Sequence, residues 1–447
     1  MSTTVAAVHD TPSELARLWS LGWPVALGGV GMLAMSAVDT AMVGSLGTAA
    51  LAALQASSMW IHALGVLGRG VVMGVDPIVT QAHGRGDAGA IGGALRAAMA
   101  TALLVSVPII AAYWVAEPVL SVLGQPTEIL PDVARYCRAV GWGVPAMMLF
   151  WAIRQVLQGE GTMRPATVAI VVANGLNVVL NACLVHGWLG APALGVVGAG
   201  YATAGSSWCM VVVLAWLTRR DLARMLGPTV SESLASGVLA VLRPGVPIAV
   251  QLGVEVWGFI AAGVIIGWLG TQALAGHAVA MLVASLAFMV PLGISSGATT
   301  RVGNLLGAGL PWRRSGWLAM AMGALITVLA GAVMFFLPEH LSRLFTDDVD
   351  AIAVAAVLLP IAGTFQVVDG LQVTAHGVLR GVGDVKWPML FNLVAHWGVG
   401  LPLGYLMGIH LGWGPQGVWY GLVAALGLVS VMLLVRLLWH TDPQAAE

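Results

Sequence analysis

The stretch 251–270, QLGVEVWGFIAAGVIIGWLG, decides the fold. It is an apolar run with a single charge, Glu255, set inside it. A helix crossing the ~30 Å hydrocarbon core of a bilayer needs roughly 20 such residues, because it satisfies its own backbone hydrogen bonds where water is absent. Runs of this kind recur along all 447 residues, of which 59% are apolar and only 9% charged. A soluble core needs far less apolar surface. The short alternating strands of a barrel do not fit these runs, so the chain reads as an all-α integral membrane protein.

Twelve spans are expected. Six lie near 21–46, 54–82, 91–115, 133–157, 165–187 and 195–217, and six more near 245–268, 274–303, 316–338, 351–378, 387–410 and 415–438. Between the two sets, TRRDLARMLGPTVSESLASG (218–237) is the one long charged stretch. The expected organisation is an amino-terminal lobe 1–217, a connector 218–242 and a carboxy-terminal lobe 243–447. Of the 19 Lys and Arg residues, Arg69 lies within a span, Arg135, Arg138 and Arg343 fall on one side of this topology, and the rest fall on the other. By the positive-inside rule both termini and the connector are cytoplasmic, in the plasma membrane, the inner membrane of a bacterium. The start MSTTVAAVHDTPSELARLWS carries Asp10 and Glu14 and lacks a basic segment before an apolar core, so no cleavable signal is expected. Cys137, Cys183 and Cys209 are odd in number and lie in or beside spans, which implies no disulfide framework. The net charge of −1 gives no reason to expect a nucleic-acid partner, and a monomer is expected.

The two halves repeat each other. Residue n set beside residue n+223 pairs Pro24 with Pro247, GSLGTAALA (44–52) with GWLGTQALA (267–275), Gly70 with Gly293, and Gly74 with Gly297. Further on, GEGTMR (159–164) matches GVGDVK (381–386), and GVVGAGY (195–201) matches GPQGVWY (414–420). Six is even, so both halves enter the membrane from the same side. The repeat is therefore parallel, about an axis along the membrane normal, and implies two six-helix lobes around a central cavity that opens alternately to either side. The glycine-rich GEG and GVG sit between spans, where glycine supplies a turn; neither follows a strand nor carries the Lys and Ser/Thr of a phosphate loop. No ATP-hydrolysing motif is present, so work against a gradient has to draw on another gradient.

Three carboxylates lie well inside spans: Asp39 in the first, Glu255 in the seventh and Asp369 in the tenth. Each costs on the order of 2.5–3.5 kcal/mol on insertion scales, so a cavity or a partner is expected for each. In the repeat Asp39 falls opposite Ala262, Glu255 opposite Met32 and Asp369 opposite Met147, so the fold itself requires no acid there. Removal from water favours the neutral acid, and such a group can exchange a proton or hold a partly dehydrated cation. A structural ion pair is the competing reading. Around Asp39, the fifth span offers Asn177 and Asn181 on one face, preceded by Asn174, and the sixth offers Thr203. Arg69 in LGVLGRGVVMG (64–74) should pair with an acid or line water, and Asp39 is its nearest candidate in sequence. His62, His376 and His396 could relay protons, but they are scattered, without metal-ligand spacing, so a packed, hydrogen-bonded imidazole is the favoured account of each.

SAVDTAMVGSLGTAALAAL (36–54), GVDPIVTQAHGRGD (74–87), NVVLN (177–181) and LRGVGD (379–384) resemble the multidrug and toxic compound extrusion (MATE) family over nearly the whole chain. Glu255 together with Asp369 in VVDGLQ (367–372) is similar to its NorM-like branch. The resemblance implies V-shaped lobes that export organic cations and other drugs in exchange for H⁺ or Na⁺, with no other cofactor. It also implies cation coupling, including a possible Na⁺ site, at Glu255 and Asp369, and proton coupling at Asp39. Two positions depart from the family: Asn181 stands where some members have an acid, and Phe365 stands where some sodium-coupled members have a tyrosine. A flippase of lipid-linked precursors is the nearest alternative, but it would need several cavity cations and only Arg69 offers itself. An intramembrane enzyme would need a nucleophile with its base or a cluster of metal-binding carboxylates. No such constellation recurs within a span.

Overall fold

A computed structural model describes residues 10–227 and 233–440. Among the described residues there are helices and no strands. Eleven helices are long and apolar enough to cross a membrane, and a bent pair makes a twelfth span. In chain order the spans are Thr11–Gly44, Thr48–Arg85, Ala88–Trp114, the pair Leu130–Gly141 and Val144–Gly159, Arg164–His186, Val196–Leu217, Leu234–Gly267, Thr271–Gly307, Arg313–Phe336, Val349–Val382, Lys386–His410 and Pro415–Trp439. The fourth span, expected as one helix, bends by 45° between its two pieces. Gly143 and Pro145 explain the bend, since proline fits the first turn of a new helix and not the interior of an old one. The reading of the amino terminus as lacking a signal falls partly on residues 1–9, outside the described residues.

Packing divides the chain into two units. One contains Met1–Ala26, Thr80–Gly86 and Val250–Glu447; the other contains Leu27–Val79 and Asp87–Ala249. This differs from a division at the connector. The reason lies in the first and seventh spans, which at 34 residues each are about 50 Å long and exceed the hydrocarbon thickness. Each changes unit two residues past a proline inside the helix, Pro24 and Pro247, and the seams after Ala26 and Ala249 are again 223 residues apart.

The repeated glycines have a shared purpose. In the first unit, a methyl group on Gly293 would stand 3.0 Å from the Ala26 side chain. In the second, a methyl on Gly70 would stand 3.0 Å from the Ala249 side chain. Gly70 matches Gly293 and Ala26 matches Ala249 in the repeat, so each unit contains the same close crossing of two backbones, which only small residues permit.

Within the unit that holds Val250–Glu447, the eleventh and twelfth spans approach through Gly400, Gly404 and Gly408 on one and Gly417 and Gly421 on the other. A methyl on Gly421 would meet the Gly404 Cα at 2.5 Å, and one on Gly417 would meet the Gly408 nitrogen at 2.5 Å. The eleventh span is unusual in having two π-helical segments, Val394–Gly400 and Leu406–His410. Pro402 lies just past the first and withholds a backbone donor there. The fifth span, its counterpart in the repeat, is α-helical throughout Arg164–His186.

The connector is partly helical. Arg219–Met225 forms a short helix, and the carbonyls of Leu226 and Gly227 just past its end each accept from Arg96 Nη2 at 2.7 Å. Residues 228–232 lie outside the described residues. The GEG turn, which has Gly161 at φ +82°, presents Glu160 to Arg224 of this helix at 3.1 Å. In the other half, Asp384 after the GVG turn accepts from Arg436 Nε at 2.7 Å. Both glycine-rich turns are thus structural fasteners. The three cysteines are free.

Candidate ion-coupling sites

Asp39 lies on the first span, five residues before the helix ends at Gly44, and is buried. Its Oδ1 accepts from Asn181 Nδ2 at 2.7 Å and from Asn177 Nδ2 at 3.2 Å. Its Oδ2 accepts from the Thr203 hydroxyl at 2.7 Å. The i, i+4 spacing on the fifth span aims both amides at one carboxyl oxygen, while the sixth span supplies the hydroxyl. All three partners are neutral donors. The Asn177 and Asn181 nitrogens can only donate, but a hydroxyl can turn and accept. The cluster can therefore hold a carboxylate, or a carboxylic acid whose proton sits on Oδ2 and points to Thr203.

Tyr136, on the fourth span, lies within reach of Thr203. Gly200 makes room for it: a methyl there would stand 3.3 Å from the Tyr136 ring. Sequence reasoning missed this tyrosine. The GAGY glycine, one turn before Thr203, was the only available signal.

Two expected members do not join the cluster. Asn174 donates to the carbonyl of Ile170 on its own helix at 2.9 Å and faces Gly31, two turns before Asp39 on the first span. The expected pairing of Arg69 with Asp39 is not formed, for a reason of depth. Asp39 is five residues from the Gly44 end of its helix, and Arg69 is 21 residues past Thr48, where the second span begins at that same end. At 1.5 Å per residue the two sit about 24 Å apart along the helices. Arg69 lies over the Trp151 ring at 5.4 Å, and Arg154 lies over the same ring at 4.5 Å. Asp76, whose carboxylate accepts from Gln155 Nε2 at 2.9 Å, stands by as the acid of this second group.

The two carboxy-terminal acids lie on the seventh and tenth spans. Glu255 and Asp369 lie close enough for their charges to interact. Neither engages in a hydrogen bond or ion pair with another described residue. Phe365, one turn before Asp369, is locked between the Phe259 ring at 5.7 Å and the Trp419 ring at 5.8 Å, so this position supplies packing where an ion ligand would need an oxygen. Among the described residues no group of three or more His, Cys, Asp or Glu is placed to hold a metal ion.

His62 Nδ1 lies 2.8 Å from the carbonyl of Ser58 in its own helix. His376 and His396, which the sequence left scattered, are brought together by Asn392. Its Nδ2 is 3.0 Å from His376 Nε2, and its carbonyl is 3.2 Å from His396 Nδ1. Asn392 was not anticipated, because one amide in a span carries no pattern until its neighbours are known.

A parallel repeat of six helices, with acids at unmatched positions in each half, calls for comparison with known membrane proteins. The MatE family model matches residues 24–183 and again 247–406, two matches offset by the same 223 residues. The chain belongs to the MatE family. Over 95% of its length this MatE protein is 35% identical to a probable multidrug resistance protein NorM of Mesorhizobium japonicum, covering 93% of that relative. It is also 35% identical over 99% of both chains to a probable NorM of Deinococcus radiodurans. The multidrug resistance protein PmpM of Pseudomonas aeruginosa is 32% identical over 95% of this chain and 91% of its own. Among solved structures, the eukaryotic MATE transporter AtDTX14 superposes with a TM-score of 0.90 at 21% identity over 98% of both chains. The Vibrio cholerae MATE transporter VcmN in its bent form gives 0.82 at 18% identity over 96% of this chain and 97% of its own. These establish the two-repeat, twelve-span fold of a multi-pass membrane protein. The family is one of transporters and not an enzyme class.

Proposed function

We propose that this MatE protein is a multidrug efflux antiporter that exports organic cations and related drugs by alternating access, in exchange for protons. Relatives named as multidrug resistance proteins over nearly the full chain support the cargo. The observation that carries the coupling is the Asp39 cluster, a buried carboxyl held only by neutral donors, one of which can reverse to accept. Such a site takes or releases a proton without breaking an ion pair, and a change of charge there alters which state of an alternating transporter is favoured. Glu255 and Asp369 act as a second, joint site. Two neighbouring carboxyls with no fixed cation between them share a proton or a cation at neutral pH. The aromatic packing of Phe365 favours the proton over sodium at this pair. The amino terminus, the connector and the carboxy terminus face the cytoplasm.

The test is export of a fluorescent organic cation from proteoliposomes under a pH gradient or a sodium gradient, imposed one at a time. Export driven by the pH gradient alone is expected. Export driven only by sodium would replace the coupling ion, and inertness under both would reopen the flippase reading.

A further inference from the structure

The tenth span carries Asp369, Gln372, His376 and Arg380 at spacings of three and four, which places them on one helix face. The row is about 17 Å long at 1.5 Å per residue and runs from Asp369 to the Arg380 end of the helix. Facing it, the eleventh span offers Asn392 and His396 one turn apart. Gln372, Asn392 and His396 are no more than 1% exposed, and His376 is 7% exposed.

The hydrogen bonds fix the protons on both imidazoles. Asn392 Nδ2 donates to the Pro388 carbonyl at 3.1 Å, which pins the amide orientation. The same nitrogen therefore donates to His376 Nε2, and the His376 proton resides on Nδ1. His396 Nδ1 must donate to the Asn392 carbonyl, so its Nε2 keeps a lone pair. Neither His376 Nδ1 nor His396 Nε2 has a partner among the described residues, and the same holds for Asn392 Oδ1 and both polar atoms of the Gln372 side chain. Leaving a buried polar atom unsatisfied costs about 1–3 kcal/mol, and five of them along one seam is more than a fold tolerates without water. The seam also reaches the seventh span. A methyl on Gly258 would stand 3.5 Å from His396 Cδ2, one turn past Glu255, and Trp397 Nε1 donates to the Val254 carbonyl at 3.0 Å.

We propose that this seam is a water-filled proton path between the Glu255/Asp369 pair and the Arg380 end of the carboxy-terminal unit, with His396 as its relay and Asn392 and His376 as positioning residues. A proton leaving a carboxyl passes to water, is accepted at His396 Nε2 and returns from that nitrogen to the next water, so only O–H and N–H bonds form and break. Asn392 holds both rings in tautomers that present a lone pair at one point of the chain and a donor at another. The charged and titratable groups along the path are Glu255, Asp369, His376, His396 and Arg380. The path deepens the antiport reading and rests on it for its direction, with the Arg380 end cytoplasmic.

Two measurements test it. In proteoliposomes, His396→Phe and His396→Gln are expected to keep counterflow exchange of a labelled cation, which needs no net proton movement, within about twofold of the unmodified protein. Export driven by a pH gradient is expected to fall at least tenfold in both. Gln is the stringent case, because it accepts a bond from water but cannot carry the proton. Gradient-driven export at the unmodified rate in both variants overturns the path while leaving antiport intact, and an equal fall in counterflow makes His396 structural and likewise overturns it. The second measurement needs no transport: X-ray hydroxyl-radical labelling read by mass spectrometry. His376 and His396 are expected to be modified at a rate nearer that of exposed His410 than that of buried His277. Protection equal to His277 overturns the water seam even if the protein proves to be an antiporter.

Discussion

Arg301 grips Glu14 with two parallel bonds, Nε to Oε1 at 2.7 Å and Nη2 to Oε2 at 2.8 Å, and Ser315 donates to the same Oε1 at 2.7 Å. Both charged side chains are buried, at 1% and 7% exposed. The pair ties the start of the first span to the eighth, 287 residues away. Removing one partner strands the other charge out of water, which costs about 3–5 kcal/mol. Glu14→Gln is expected to destabilise the protein by that order and to lower its melting midpoint in detergent. The double variant Glu14→Gln with Arg301→Met should recover much of the loss. A double variant no more stable than the single would show that the geometry, and not the stranded charge, carries the cost.

Asp39→Asn should fold and insert as the unmodified protein does, since a neutral side chain is easier to bury. Coupled export should be abolished, because the amide cannot take up the proton. Thr203→Val removes the one reversible partner and should reduce gradient-driven export by about tenfold, equivalent to ~1.4 kcal/mol on the proton-bound state. Wild-type export by Asp39→Asn would make the residue structural.

At the second site, Glu255→Gln and Asp369→Asn are each expected to remove ion-dependent export. The double variant should be no worse than either single one, because both disable one shared site. Ion-stimulated efflux measured on all three decides the matter: losses that multiply independently, or a silent Glu255→Gln, would sink the idea of a joint site.

Gly421→Ala puts a methyl where the Gly404 Cα and the Gly400 carbonyl oxygen each leave only 2.5 Å. Backbone has to move, and overpacking of this kind costs about 1–3 kcal/mol. A lowered melting midpoint is expected, together with unchanged ion selectivity in whatever fraction remains folded. Gly427→Ala, with open space around it, is the matched control and should be neutral.

Orientation is checked by labelling. In a background free of Cys137, Cys183 and Cys209, a cysteine at Ser233 should react with a membrane-impermeant reagent only from the cytoplasm, and one at Ala191 only from outside. The reverse pattern would invert the topology.

Much of this was legible in the residues. Span count, repeat register and the Asp39 partners Asn177, Asn181 and Thr203 follow from periodicity and from the rule that a buried acid needs company. The misplacement of Arg69 has a plain cause: nearness in sequence says nothing about depth when two helices run antiparallel, and counting 1.5 Å per residue from the Gly44–Thr48 turn would have exposed it. Phe365 was readable as a non-ligand, though its aromatic neighbours Phe259 and Trp419 were not. The transfer of residues 11–26 and 234–249 between units was hidden because helical patterning reports that a helix continues, not what it packs against. Asn392 and its two histidines were equally out of sight, since their meeting depends on how the tenth and eleventh spans face one another.

The wide turns of the eleventh span set the direction in which its glycines face. The eleventh span has one slack turn on each side of Pro402, where its counterpart in the repeat, the fifth span, is α-helical throughout. Each inserted residue turns everything beyond it by about 100° and advances it by about 1.5 Å. Loss of a single residue from 394–400 would swing Gly404 and Gly408 off the seam that admits Gly417 and Gly421. The number of residues in this one stretch, and not only their identity, therefore fixes the close packing of the last two spans.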